Sequence, residues 1–277
     1  MKSILALKIS LLALLLIALL APFSFFKPEY KPAVKTVAVK QVAKKPAPVV
    51  EKPLHSVLLP DFAAIVDIKE KKGQFFDFIR PAVVQENGKI LQEREAVLLM
   101  LDKTSLEEPL SDPEIALLTQ LVKKYRVSKK YSLLQKLNEL LTRVDIIPTP
   151  LVLVQAANES AWGTSRFARI GLNFFGIWCY RQGCGMVPKG RDEGASHEVA
   201  AFDSVDAAVA HYLYNINTNS AYTVFRAIRA QLRAQNQPLR AQVLATGLLP
   251  YSERGTDYVL EITQMIRHNQ DYLTSAD

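Results

Sequence analysis

Thr149-Pro150-Leu151-Val152-Leu153-Val154-Gln155-Ala156-Ala157-Asn158-Glu159-Ser160-Ala161-Trp162-Gly163 is an apolar run with one carboxylate near its end. Thr149 can cap a helix, Pro150 fits its first turn, and Gly163 suits its stop. Ala156, Ala157 and Ala161 allow other elements to approach closely. Gln155 and Glu159 share a face at i, i+4, with Trp162 one turn further on. Glu159 is the one acidic residue between Asp145 and Asp192. On a largely buried helix its pKa should rise, because desolvation disfavours the charged form. A protonated Glu near neutral pH is what general-acid cleavage of a glycosidic bond needs. A structural carboxylate at a helix end fits the same pattern, so the residues alone leave both roles open.

Helical periodicity dominates from Asp61 onward, and no alternating strand pattern stands out. Phe75, Phe76, Phe78 and Ile79 precede Pro81, which reads as a helix break or start. Ser111-Asp112-Pro113-Glu114 is a helix start, with a capping residue, Pro in the first turn and an acid at the positive dipole end. That helix presents Ile115, Leu118, Leu121 and Val122, and another presents Leu133, Leu134, Leu137, Leu140 and Leu141. Cys179 to Ala200 interrupts the pattern as a lobe with glycines at 183, 185, 190 and 194. Asp203-Ser204 then opens a helix to about Asn217, and helical stretches follow at 222–234, 238–249 and 256–273. Arg226, Arg229, Arg233 and Arg240 read as a solvated face, or as a contact for anionic polymers. The expected fold is all-α, with a small Gly-rich lobe or hairpin.

The formal charge of +7 is unevenly placed. Residues 1–60 hold 9 Lys against 2 Glu, whereas residues 61–277 hold 25 basic and 25 acidic residues. The basic balance belongs to an N-terminal arm, which argues against nucleic acid as a partner. Behind Lys2 and Lys8, Ile9 to Phe26 is an apolar run at the lower edge of a membrane-spanning length. No Ala-x-Ala follows it promptly, so residues 1–26 are expected to be an uncleaved signal anchor in the inner membrane. Lys27, Lys31, Lys35 and Lys40 would by charge count keep the following chain in the cytoplasm. The substrate argued below reverses that orientation. Residues 27–60, with Pro28, Pro32, Pro46, Pro48, Pro53 and Pro60, are expected to be an extended tether. Residues 61–147 are then an N-terminal helical region, and residues 148–277 a chemistry-bearing domain. Cys179 and Cys184 can close a small disulfide loop in an oxidising compartment. Together with His197 they lack any standard metal-ligand spacing. No Ser/His/Asp set, phosphate loop or dinucleotide motif is present, and no cofactor is implied.

The segment Gln155 to Ala168, followed by Asn173-Phe174-Phe175-Gly176-Ile177-Trp178, resembles the active-site signature of the glucosaminidase family. These are lysozyme-like peptidoglycan hydrolases of the mannosyl-glycoprotein endo-β-N-acetylglucosaminidase type. Ala201-Phe202-Asp203-Ser204 and the set Tyr251, Asp257 and Tyr258 carry the resemblance across about residues 148–270. The stretch Lys72 to Pro81, the spacing of Asn87, Ile90 and Arg94, and the Cys-Gly pair at 184–185 are similar to the Bax-like subgroup, which comprises anchored or exported bacterial proteins.

The resemblance implies a lysozyme-like catalytic domain on which the N-terminal helices pack. It also implies hydrolysis of the β-1,4 bond after N-acetylglucosamine, without a metal or cofactor. Peptidoglycan glycan strands would be the partner, with the domain in the periplasm and the inner membrane held through the N-terminal helix. Glu159 would be the general acid. Tyr251 would orient a water or stabilise positive charge on the sugar, and Tyr258 takes that place if the register slips. Asn173 and Phe175 would line the cleft, Trp178 would contact sugar, and Trp162 would pack on the Glu159 helix. The second acid would come from the lobe: Glu198 first, then Glu193 or Asp192. A general base belongs roughly 6.5–9.5 Å from Glu159, and a nucleophile nearer to about 5 Å. The alternatives are a non-catalytic glycan scaffold and a lytic transglycosylase, which needs only one acid.

Overall fold

Asp67 opens the first helix by accepting the Glu70 amide at 2.8 Å. In this computed structural model, which describes residues 51–191 and 194–273, that helix (α1, Ile68–Ser105) runs for 38 residues. The expected anchor at 1–26 and residues 27–50 of the expected tether lie outside the described residues. Pro81 falls within α1 and does not break it. The proline is exposed, while Phe75, Phe76, Ile79, Val83 and Asn87 form a buried stripe running past it. The one hydrogen bond that Pro81 cannot make is therefore lost on the wet side, where packing does not depend on it.

Two helices with capping boxes follow, α2 (Asp112–Lys124) and α3 (Leu133–Arg143). The Ser111 and Ser132 amides donate back to Glu114 and Gln135 at 2.7 and 2.9 Å. The Glu159 segment is α4 (Thr149–Ser160). Its cap is Pro148, one residue ahead of the expected Thr149, which makes no side-chain capping bond. Leu151 through Ala157 are all inaccessible to solvent, because α1 and the C-terminal helices cover this helix.

Three residues in left-handed backbone end α4: Ala161, Trp162 and Gly163, with φ of 50, 58 and 75°. At Gly163 a Cβ would come 2.5 Å from the Phe62 ring. Glycine is required there twice over, by backbone conformation and by space. Trp162 packs edge-on against Phe75 and Phe76 of α1 at 5.9 and 5.2 Å, as expected of a packing residue.

The short helix α5 (Arg166–Gly171) carries the end of the expected tether. Glu51 pairs with Arg166 at 2.5 Å, the Leu54 amide donates to the Ile170 carbonyl at 2.8 Å, and His55 Nε2 lies 3.1 Å from the Arg169 carbonyl. Residues 51–60 thus belong to the folded unit. They run outside helix and strand with Pro53 and Pro60 among them, and reach the helix end through these bonds.

The Gly-rich lobe is a three-stranded antiparallel sheet with strand order β1-β3-β2. It comprises β1 (Trp178–Cys179), β2 (Gly185–Met186) and β3 (Glu198–Ala200). Cys179 lies opposite Glu198, and Met186 opposite Val199. Cys179 and Cys184 are joined by a disulfide, with Cα atoms 6.3 Å apart. Beyond the lobe come α6 (Val205–Thr218), α7 (Thr223–Ala234), α8 (Ala241–Ala245), a 3-10 turn (Thr246–Tyr251), α9 (Thr256–His268) and α10 (Gln270–Leu273). The fold is mainly helical with a small hairpin lobe, consistent with the lysozyme-like class. Among the described residues, no helix is long and apolar enough to cross a membrane.

Of the four arginines expected on a solvated face, Arg240 is exposed, whereas Arg226, Arg229 and Arg233 hold the helices together. Arg229 is 1% exposed and donates to the carbonyls of Thr142, Arg143, Asp145 and Ile146 and to Asn217 Oδ1, at 2.8–3.2 Å. The first two are carbonyls that the end of α3 leaves without helical partners. Arg94 of α1 reaches the same end, at the Leu141 and Val144 carbonyls. Buried Asp145 takes Arg233 in two contacts of 3.0 and 2.8 Å. Burial draws the Arg229 pKa down to about 10. Composition marks these side chains as polar, but a guanidinium bonded this fully can lie inside. Arg229→Met leaves its acceptors unpartnered, and denaturant titration should show a loss of about 3–5 kcal/mol.

Candidate active site

The last turn of α4 brings Glu159 out of the core to the floor of a cleft of about 390 Å³. Gly176, with φ of 64°, sits against the carboxylate, and a Cβ there would lie 3.5 Å from Glu159 Oε2. A side chain at that position would be strained by the backbone conformation and would stand in contact with the acid. Burial pushes the Glu159 pKa up. Hydrogen bonds from Tyr258 and Asn158, and the more distant charge of Arg254, oppose the rise without cancelling it. The carboxyl is therefore biased toward its protonated form at pH values where an ordinary Glu is ionised.

Trp178 and Tyr180 stand at the lobe side of the cleft, 49% and 77% exposed. Such rings offer flat apolar faces on which the C–H faces of a sugar can lie. The Trp178 ring leans on His197 with centroids 4.4 Å apart. Tyr251, at the end of the 3-10 turn, lines the opposite part and donates to the Phe175 carbonyl at 2.8 Å. Its ring stacks on Tyr258 at 5.5 Å and 9°. Tyr258 is 1% exposed and lies behind Tyr251, so the two tyrosines hold separate places. Phe175 lines the cleft from a ring that is itself stacked on Tyr212 at 4.3 Å.

Asn173 does not line the cleft. It is 2% exposed, and its amide donates to the Ile177 and Ala200 carbonyls, each at 2.8 Å, while its Oδ1 accepts the Ile177 amide at 3.0 Å. Its work is to tie the loop carrying Gly176 to β3. An asparagine can do this because it offers a donor and an acceptor at once.

Glu198 is likewise misplaced for a second acid. It is 4% exposed on β3, lies outside the cleft lining, and accepts the Gly183 and Gly185 amides at 3.0 and 2.9 Å. Those bonds favour the charged form and hold its pKa below the usual glutamate range. Glu159 is the only carboxylate lining the cleft among the described residues. Asp192 and Glu193, the other two candidates, lie outside them. The cleft also holds Tyr180, His211, Asn215, Asn219 and Tyr222, which the sequence pattern does not reveal. The Asn219 amide donates to Asn215 Oδ1 at 3.2 Å, a spacing of i, i+4 that was open to notice in the sequence. Partial desolvation pushes the His211 pKa down.

A mainly helical fold whose buried helix delivers one carboxyl with a raised pKa into an aromatic cleft has the form of a glycoside-hydrolase-type enzyme. Residues 134–271 match the glucosaminidase family, described as mannosyl-glycoprotein endo-beta-N-acetylglucosaminidase. The chain is also 36% identical over 214 residues to Protein bax of Escherichia coli (strain K12), covering 76% of this chain and 74% of that protein. It belongs to the Bax-like proteins that carry a glucosaminidase domain. No solved structure matches it. The family fixes the chemistry in outline as that of a peptidoglycan-related glycosidase acting on glycan.

The hairpin should respond to acid through Glu198. Because its folded pKa is depressed, its support is present above the ordinary glutamate value and is lost as pH falls through the lowered one. Hydrogen exchange at the Gly183 and Gly185 amides, corrected for intrinsic rate, should accelerate on that descent. In Glu198→Ala the same amides should exchange fast at every pH.

Proposed function

We propose that this protein hydrolyses the β-1,4 bond after N-acetylglucosamine in peptidoglycan, with Glu159 as the general acid. The observation that carries this reading is the placement of Glu159: half-buried, biased toward its protonated form, and facing open space over Gly176 between aromatic walls. Glu159 gives its proton to the leaving glycosidic oxygen as the bond breaks. The sugar ring gains positive charge in that step. Tyr251, held by the Phe175 carbonyl, presents its ring and hydroxyl oxygen beside the reacting sugar. Trp178 and Tyr180 hold neighbouring sugars by their apolar faces.

Asp192 and Glu193 of the lobe remain the candidates for a second acid, since Glu198 is engaged by the hairpin. Residues 148–277 act as the catalytic module in this reading, and the helices of 61–147 support it from behind α4. The Cys179–Cys184 disulfide favours an oxidising compartment, which for a peptidoglycan enzyme is the periplasm. Residues 1–26 would hold the protein to the inner membrane. A second reading, a lytic transglycosylase, draws on the single carboxylate in the described cleft, because that reaction needs one acid and an internal sugar hydroxyl.

The test is mass spectrometry of products released from purified peptidoglycan by the full chain. Muropeptides with reducing N-acetylglucosamine ends are expected. Anhydro-muramic ends would move the protein to the transglycosylases, and binding without any product would leave a scaffold. Glu159→Gln should still bind wall material and lose activity by roughly 10²–10⁴-fold. Activity of the native protein should fall as pH rises through the raised Glu159 pKa, since the acid must hold its proton to give it.

A further inference from the structure

Behind the cleft, three buried side chains form a hydrogen-bonded line that leads toward Glu159. The Tyr212 hydroxyl donates to Gln155 Oε1. Gln155 Nε2 donates to the Tyr258 hydroxyl at 2.9 Å. Gln155 and Glu159 lie one turn apart on the same face of α4, so the Tyr258 hydroxyl held by Gln155 is placed beside the Glu159 carboxylate, whose charged form it favours. Gln155 is wholly inaccessible, and Tyr212 and Tyr258 are each 1% exposed, so no solvent competes for these bonds.

An amide has one end that only accepts and one end that only donates. With its oxygen toward Tyr212 and its nitrogen toward Tyr258, Gln155 supplies the bond that the Tyr258 oxygen accepts. The one proton on Tyr258 is then left for Glu159. Turned over, the amide would draw that proton to its own oxygen, and Glu159 would lose its donor. Tyr212 holds the oxygen end in place from α6.

We propose that Gln155 and Tyr212 are positioning residues that fix Tyr258 as a hydrogen-bond donor to Glu159, so that the carboxylate formed when the acid gives up its proton is stabilised at once. This rests on the reading of Glu159 as the acid. The balance is simple: the proton leaves the Glu159 hydroxyl for the glycosidic oxygen, the C–O bond to the leaving sugar breaks, and Tyr258 keeps its own proton throughout. A donor that strengthens as negative charge develops favours the transition state over the protonated ground state. Of the other groups facing Glu159, Asn158 Nδ2 donates to Oε1 at a long 3.3 Å, and the rest are engaged elsewhere. The Tyr251 hydroxyl is bound to the Phe175 carbonyl, and Tyr222 is hydrogen-bonded to Asn215. Arg254 and Glu261, whose charges act on Glu159 with opposite sign, are paired with each other.

The deciding measurement is the carboxyl titration of Glu159, followed by carbon NMR of the full chain in the native protein and in Tyr258→Phe, Gln155→Met and Tyr212→Phe. Removing a donor to the charged form raises the midpoint, so all three variants should titrate at higher pH than the native protein. The descending limb of activity against pH should move with them. Tyr212→Phe removes a single oxygen, does so away from Glu159, and decides the matter if Gln155→Met does not fold. An unmoved Glu159 midpoint in folded Tyr212→Phe and Tyr258→Phe would overturn the proposal and assign these side chains to core packing alone. The titration needs no substrate, so a shifted midpoint in a protein that cuts no glycan would sink the hydrolase reading while leaving this hydrogen-bond line in place.

Discussion

A helix buried on every side must have every polar group on it satisfied from within the protein, and α4 imposes that condition on the whole molecule. Leu151 through Ala157 demand cover, which α1 and the C-terminal α8, α9 and α10 supply. Gln155 must find a donor and an acceptor, which brings Tyr212 and Tyr258 to it. The Ser160 hydroxyl must be used, and it accepts the Gly163 amide at 2.8 Å in the left-handed turn that ends the helix. Glu159 alone escapes the condition, because it sits where the helix leaves the core. The half-burial that makes it an acid follows from the same packing that makes α4 a core element.

A second constraint shapes the rim. The lobe is too small to have a core of its own, since its sheet has two or three residues per strand and Ile170, Met186 and Val199 form a small buried apolar cluster beneath it. Its stability comes from polar and covalent ties: the disulfide, the Asn173 side chain bridging to β3, and Glu198 gathering the amides of the β1–β2 turn. Glu198 and Asn173 thus hold the frame on which Trp178 and Tyr180 are displayed. A carboxylate that closes a turn and one that donates protons need opposite environments, amide-rich for the first and apolar for the second. The two glutamates have one each.

The helices were largely legible because their starts are local. Ser111, Ser132 and Ser204 each bond to a group within three residues, and that information lies within the segment itself. Glu159 was legible for a related reason, being a lone acid in an apolar run within a recognisable motif. What escaped depends on partners distant in the chain. Nothing near Glu198 announces that residues 183 and 185 will present amides to it, and nothing near Arg229 announces that α3 will end against it. Pro81 was misread because a local rule about a missing amide says nothing of whether that side of the helix faces water. The cleft residues Tyr180, Asn215 and Tyr222 come from separate elements and converge only in the fold.

The glucosaminidase match starts at residue 134, within α3, yet the end of α4 is sealed by residues far upstream of that point. Phe62 fills the space over Gly163, and Phe75 and Phe76 close on Trp162. A chain cut at the family boundary would keep the motif and its glutamate but expose one side of the helix that carries them. The edge of the family match and the edge of the packed unit therefore differ here, and the 214-residue match to Protein bax is too long to lie within the family match alone. α1, although outside the matched domain, is one of its walls.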